Sequence, residues 1–181
     1  KMGKDEAKIT RYLYTIFATV SWIYEREVNT SFSIGDIIIH TDIDPDPYTE
    51  NANGDIGALL GEFSANWRSS YGTIKRNVAV LFTVPGKTDV GGIAYLATLC
   101  TNRAFAACGI QTTSVLPTQG YQWDAFVTAH EVGHVFGAKH THACDWNPPI
   151  DSCVSTGGSI PVGDACWNGT PKPNKGSIMS Y

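Results

Sequence analysis

What this chain lacks narrows it first. No apolar run in its 181 residues approaches the roughly 18 needed to cross a bilayer, and no signal peptide stands at its start. It has no basic excess either: 13 Lys and Arg face 17 Asp and Glu, giving a net charge of −4 and a pI near 5.7. That balance offers neither the electropositive footprint nucleic acid requires nor a polybasic membrane face. Internal repeats and low-complexity tracts are missing. Charged residues make up only 17% of the chain against 43% hydrophobic, so one compact domain can bury a core without staples. The opening Lys1-Met2-Gly3-Lys4 reads as a mature or trimmed product, with any signal or pro-segment outside the chain.

Cysteine is sparse and odd in number: Cys100, Cys108, Cys144, Cys153 and Cys166. Three of them fall in the Gly/Pro/Asn-rich stretch after residue 140, where disulfides fit an exported protein. The odd count leaves one thiol free or a partner beyond Tyr181; a trimmed C-terminus that removed the partner of Cys100 would account for it. The sequons Asn29-Thr30-Ser31 and Asn168-Gly169-Thr170 matter only in a host that glycosylates.

Periodicity predicts a long amphipathic helix over about 5–27, with Ile9, Tyr12, Leu13, Ile16, Phe17, Val20, Ile23 and Tyr24 at three- and four-residue steps. Phe32 to His40 reads as a strand whose Ile37-Ile38-Ile39 run suits a buried sheet. The carboxylate-dense loop from Asp42 to Asp55 invites a calcium reading. Pro47 and Asn53 stand where an EF-hand loop needs glycine and glutamate, so a solvated loop is expected. A second helix follows over about 55–70, then a strand from Asn77 to Val84, a turn at Pro85–Asp89 and the segment Gly91-Gly92-Ile93-Ala94-Tyr95-Leu96. Val115-Leu116-Pro117 is a short extended piece. A helix from about Trp123 to Phe136 follows, with Asp124 as its expected cap, Phe126 and Val127 on its inner face, and Gly133 for close approach of backbone or substrate. The early strand–helix alternation gives an α/β class.

That last helix carries the chemistry. His130 and His134 lie four residues apart, on one face a single turn apart, so both imidazoles can reach one ion. Zinc suits such a pair. His140 lies too far up the axis unless the helix stops, and Gly137 permits that stop. Three protein ligands leave a fourth position for water, the mark of a catalytic site. Glu131 is then placed to take the proton of a zinc-activated water attacking a polarised carbonyl. Protonation of the histidines below about pH 5–6 is expected to release the metal.

The pattern His130-Glu131-x-x-His134-x-x-Gly137-x-x-His140, followed by Ser177-Ile178-Met179-Ser180-Tyr181, resembles the metzincin zinc endopeptidases and their Met-turn. Gly92-Ile93-Ala94-Tyr95-Leu96 before Cys100 looks like the edge strand of the adamalysin- or reprolysin-like branch. The resemblance implies a mixed, mostly parallel sheet with helices above the cleft, and an irregular, disulfide-pinned lower subdomain. In this reading residues 1–181 are a single catalytic domain, with 1–140 above the cleft and 141–181 below it. His130, His134 and His140 would bind zinc, Glu131 would be the general base, and Met179 an apolar floor. Gly92, Ile93, Ala94 and Tyr95 would hold an extended substrate by strand addition. Thr141 departs from the adamalysins, which usually carry aspartate after the third histidine, and His142 is assigned to outer-shell or surface duty. Tyr181 matches astacin- and serralysin-like sequences, where a phenol near the metal is implied.

The function this implies is a secreted, extracellular or periplasmic zinc-dependent endopeptidase. It would be a monomer acting on polypeptides, without nucleic-acid partners, and regulated by a pro-segment outside the chain. The alternatives are a zinc-binding, protease-like adhesion or decoy module without turnover, or an astacin/serralysin-like endopeptidase.

Overall fold

Capping and a single apolar stripe define the first element. The computed structural model describes residues 5–41, 46–49, 54–84, 91–111, 123–151, 153 and 175–180. Helix α1 spans Glu6–Val28. Asp5 caps it by accepting from the Lys8 N–H at 3.0 Å. Asn29, in the left-handed conformation at φ 51°, ends it by donating its N–H to the Tyr24 and Glu25 carbonyls. Tyr12, Ile16, Val20 and Tyr24 fall at every fourth position and are buried. Burying side chains such as Ile16 and Val20 contributes about 1.5–3 kcal/mol each. Helix α2, Ile56–Ser70, begins in the same way, with Asp55 accepting from the Ala58 N–H at 2.9 Å.

Three strands form one sheet: β1 Ala79–Thr83, β2 Gly92–Ala94 and β3 Phe105–Gly109. The order is β1-β3-β2, with β3 parallel to β1 and antiparallel to β2. The sheet is therefore mixed, but not mostly parallel as expected: among the described residues there is one pairing of each kind. Helix α3, Trp123–Phe136, follows β3.

The central strand β3 was not legible in the sequence. Its Ala106-Ala107-Cys108-Gly109 stretch has weak strand propensity, yet every residue of it is buried. Small side chains suit a strand covered on both faces. Phe105 and Ala107 pack with Ile56, Leu59, Leu60 and Phe63 of α2, while Ala106 packs with Val135 of α3. On its other side α3 meets α1, where Ala129 and Val132 join Tyr12, Ile16, Val20 and Tyr24. The layers run α2, sheet, α3, α1, and α3 is enclosed between the sheet and α1.

The strand expected at Phe32–His40 does not form; residues 31–41 carry no regular secondary structure. An apolar run becomes a strand only where an edge supplies ladder hydrogen bonds. Here Ile37, Ile38 and Ile39 are only half-buried and, with Val80 and Phe82 of β1, line a cavity of about 1150 Å³. Phe32 instead packs edge-on against Tyr24, with ring centroids 4.9 Å apart. From residue 141 on, the described residues form turns and bends without helix or strand. Cys144 is disulfide-bonded, but Cys100, Cys108 and Cys153 are free thiols. A stretch pinned throughout by disulfides is thus not seen, and more than one thiol is free. No helix among the described residues is long and apolar enough to cross a membrane. The Pro85–Asp89 turn, Val115–Pro117, most of the Asp42–Asp55 loop, Cys166 and Tyr181 lie outside the described residues.

Phe105 is fully buried, and its ring meets that of Phe63 edge to face with centroids 5.3 Å apart. Phe105→Ala should lower stability by about 3–5 kcal/mol, the usual range for emptying an aromatic core site. Urea unfolding reads this directly, and a loss under about 1 kcal/mol would mean that β3 is not the packed centre.

Candidate metal centre

His130 and His134 sit one turn apart on α3, with His130 buried and His134 half-buried. The helix stops where the sequence predicts. Gly137 has φ +104°, and its N–H donates to the His134 carbonyl at 2.9 Å. The Ala138 N–H reaches back to the Gly133 carbonyl at 2.9 Å. The chain then doubles back and delivers His140 to the same point.

The three Nε2 atoms form a nearly equilateral triangle. His130 to His134 is 3.1 Å, His134 to His140 is 3.0 Å and His130 to His140 is 3.2 Å. Tetrahedral zinc with bonds near 2.0–2.1 Å sets its ligand nitrogens roughly 3.3 Å apart, so the triangle fits that ion closely. His130, His134 and His140 form the one group of three such side chains able to hold a metal ion among the described residues. The tautomers agree with this. His130 Nδ1 donates to the Ile178 carbonyl at 2.6 Å and His134 Nδ1 to the Ala138 carbonyl at 2.7 Å. Each bond leaves the Nε2 lone pair turned inward.

Burial sets the charge state. Desolvation brings His130 down to about 4, partly opposed by the Ile178 carbonyl and reinforced by His134 and His142. Burial together with His134, His130 and His142 also brings His140 to about 4. His134 is lowered by burial, against the Ala138 carbonyl. All three are held neutral, the form that ligates.

Glu131 points the other way round the helix, toward the sheet. It is 4% exposed, and burial pushes its carboxyl up to about 8. Its Oε2 makes no hydrogen bond among the described residues. Its nearest neighbour explains a glycine: a Cβ on Gly92 would lie 2.6 Å from Glu131 Cγ and Oε1. A Cβ on Gly91 would likewise lie 2.3 Å from the Trp123 ring. The Gly91-Gly92 pair therefore admits side chains of α3. Gly133 is corrected in the same way. A Cβ there would meet Met179 Sδ at 2.6 Å, so the helix is thinned to seat the methionine of the Met-turn.

Strand β2 is an edge of the described sheet. The Gly91 carbonyl and Tyr95 N–H bond to β3, at Gly109 N and Phe105 O. By the two-residue period, Gly92 and Ala94 turn their main-chain groups outward. The side chains of Ile93 and Tyr95 pack against the α2 core. Just beyond, Ala97 N–H donates to the His134 carbonyl at 2.9 Å, and Thr98 and Leu99 donate to Val135 O. This tie between the edge strand and the end of the metal helix has no sequence signature, since it is an alanine, Ala97, that takes the left-handed φ of 56° there.

Three further residues differ from expectation. Asp124 lies inside the first turn of α3 and accepts from Tyr12 Oη and from the Gln111 N–H, so it tethers α3 to α1 rather than capping the helix. Phe126 is only half-buried and lies beside His130, with ring centroids 6.0 Å apart, while Val127 is buried as expected. His142 is wholly buried, its ring stacked on His140 at 5.3 Å and 14°, which excludes a surface role.

The lowered histidine pKa values move the expected metal release. Ligation needs neutral imidazole, and groups depressed to about 4 stay neutral until the pH approaches that value. Zinc affinity should be nearly flat from pH 7 to about 5 and fall steeply only near 4 and below, rather than over pH 5–6. Equilibrium dialysis across that range checks this, and a fall centred on the ordinary histidine value of about 6.5 would contradict the desolvated site.

The family model described as metallo-peptidase family M12, of the reprolysin type, matches residues 1–181. The match runs through the histidine triad, its spacing and the turn beneath it, and the chain belongs to metallopeptidase family M12.

Proposed function

We propose that this chain is a secreted zinc-dependent endopeptidase that cuts extended polypeptides. The observation that carries the reading is the convergence of three neutral imidazole nitrogens beside a buried carboxylate with an unbonded oxygen. Membership of family M12 supports peptide hydrolysis at the level of the family. His130, His134 and His140 would hold the zinc through Nε2. Bound there, the ion supplies polarisation of the scissile carbonyl and acidification of a water.

The remaining work falls to the chain's own residues. Glu131 takes a proton at its carboxylate from the attacking water and returns it to the leaving amine. Its seat against Gly92 fixes which way the carboxylate faces and keeps solvent from it. Substrate adds to β2 as a further strand, bonded through the outward main-chain groups of Gly92 and Ala94. Ile93 and Tyr95 act by anchoring that edge to the α2 core. Met179 is the apolar floor, seated against Gly133. The division into residues 1–140 above the cleft and 141–181 below it belongs to the same reading, as does export, for which the Cys144 disulfide is the support.

The test is casein cleavage with and without a zinc chelator, beside metal analysis. Glu131→Gln should retain zinc and lose about 10²–10⁴-fold in kcat, the range typical of a general base. Undiminished cleavage by this variant would sink the mechanism, whereas zinc without cleavage in the unmodified chain would favour a protease-like module that only binds.

Gly92→Ala separates position from presence. The new methyl would displace Glu131, and a misplacement of about 1 Å can lose 10²-fold in rate. Zinc content should stay at the level of the unmodified protein while kcat falls about 10–100-fold. An unchanged kcat would show that the contact between Gly92 and Glu131 does not govern the base.

A further inference from the structure

Behind His140 lies a buried polar cluster that ligates nothing. Thr141, 6% exposed, donates its N–H to the Met179 carbonyl at 3.1 Å. Its hydroxyl is 3.0 Å from Ser180 Oγ and 3.1 Å from Ser177 Oγ. Ser180 Oγ in turn donates to Asp151 Oδ2 at 2.7 Å. Asp151 is 2% exposed, and its Oδ1 accepts from the Cys153 N–H at 3.0 Å. The Ile150 and Asp151 N–H groups return to the Thr141 carbonyl at 2.8 and 3.3 Å.

A carboxylate in such a place needs a reason, since burying a charge is unfavourable unless every lone pair is used. Burial raises its pKa, but bonds from Ser180, Thr141 and the Cys153 and Ser177 N–H groups outweigh that and hold it below the ordinary range. The groups it collects come from two places. Thr141 directly follows ligand His140. Ser177 and Ser180 bracket Ile178, whose carbonyl orients ligand His130. His142, stacked on His140, faces the same carboxylate electrostatically.

We propose that Asp151 is a positioning residue of the metal centre, clamping the loop that delivers His140 to the turn whose carbonyl aims His130. The proposal rests on the zinc-endopeptidase reading but concerns ligand geometry, so metal binding tests it separately from turnover. Without the carboxylate Ser180 loses its acceptor and Thr141 alone still ties the two segments, through the Met179 carbonyl and the serine hydroxyls, so the imidazoles are held less firmly in their common register. Outer partners of metal ligands typically change affinity by about 10–100-fold.

The experiment is zinc affinity by chelator competition, with the visible spectrum of the cobalt(II)-substituted full chain. Asp151→Asn keeps the shape but removes the charge. It should weaken zinc binding about 10–100-fold and shift the cobalt bands. Ser180→Ala, which removes the hydroxyl's bonds to Asp151, Thr141 and the Ser177 N–H but leaves the carboxylate in place, should do the same to a smaller degree and serves if Asp151→Asn does not fold. Thr141→Asp combined with Asp151→Asn should restore much of the affinity by returning a carboxylate beside His140. A role in folding alone would lower thermal stability while leaving the cobalt spectrum unchanged, and that result overturns the proposal. So does wild-type zinc affinity in Asp151→Asn or, where that variant does not fold, in Ser180→Ala. An unmodified chain that holds no zinc overturns the functional reading itself. Zinc bound without cleavage overturns the enzyme and leaves the clamp to be judged by affinity.

Discussion

Three imidazole nitrogens within 3.2 Å of one another, none of them charged, are the constraint to which the rest of the structure answers. Such a triangle is not self-supporting, because lone pairs aimed at one point repel. The protein holds it open by gripping the far sides of the rings. The Ile178 carbonyl comes from the turn near the end of the chain, and the Ala138 carbonyl from just past the helix stop. The parallel ring of His142 backs His140. Helix α3 is gripped as well, by α1 through Tyr24 Oη on the Ala129 carbonyl at 2.8 Å. At its end it is gripped by the backbone of 97–99.

Close approach is the second theme, and three glycines make it possible by subtraction. Gly91 leaves room for Trp123, Gly92 for Glu131 and Gly133 for the Met179 sulfur. Each lies where α3 meets something else. The first two bring the helix against the edge strand, so that the carboxylate and the outward main-chain groups of β2 share one neighbourhood. The third brings the Met-turn against the helix from the opposite quarter. A side chain at any of the three would have to displace the group seated there: the Trp123 ring, the Glu131 carboxyl or the Met179 sulfur.

Much of this was legible in the chain and some was not, for physical reasons. His130, Glu131, His134, Gly137 and His140 could be read because helical geometry is local. A four-residue step fixes one face, and glycine fixes where the helix can end. Helices α1 and α2 were legible because an apolar stripe at three- and four-residue steps is written into consecutive residues. Strand β3 was hidden because being covered on both faces selects small residues, which resemble no strand. The run at Ile37–Ile39 misled for the complementary reason: it has strand composition, but pairing is decided by whether an edge comes within reach. Asp151 was invisible because its partners lie ten residues before it and nearly thirty after it in sequence, and only folding brings them together. The glycines are plain in the sequence, but what fills the space beside them belongs to another element each time.

The electrostatics tie the site into one unit. Desolvation is the largest influence on His130, His134, His140 and Glu131, and in each case it favours the uncharged form. Imidazoles go down and the carboxyl goes up, so the enclosed pocket tends toward zero net charge. A divalent cation reverses that balance for the carboxyl alone. The imidazoles are already in their ligating form, while an acid near a positive charge ionises more readily. The arrangement that makes the histidines ready to ligate therefore also makes Glu131 responsive to what they hold. By contrast Asp151, in the cluster behind His140, stays ionised through hydrogen bonds rather than through a cation. Two buried carboxylates thus differ, one kept charged by its donors and the other pushed up to about 8 by burial with no bond to Oε2 among the described residues. Donor count is what divides a carboxylate suited to holding structure from one suited to exchanging a proton.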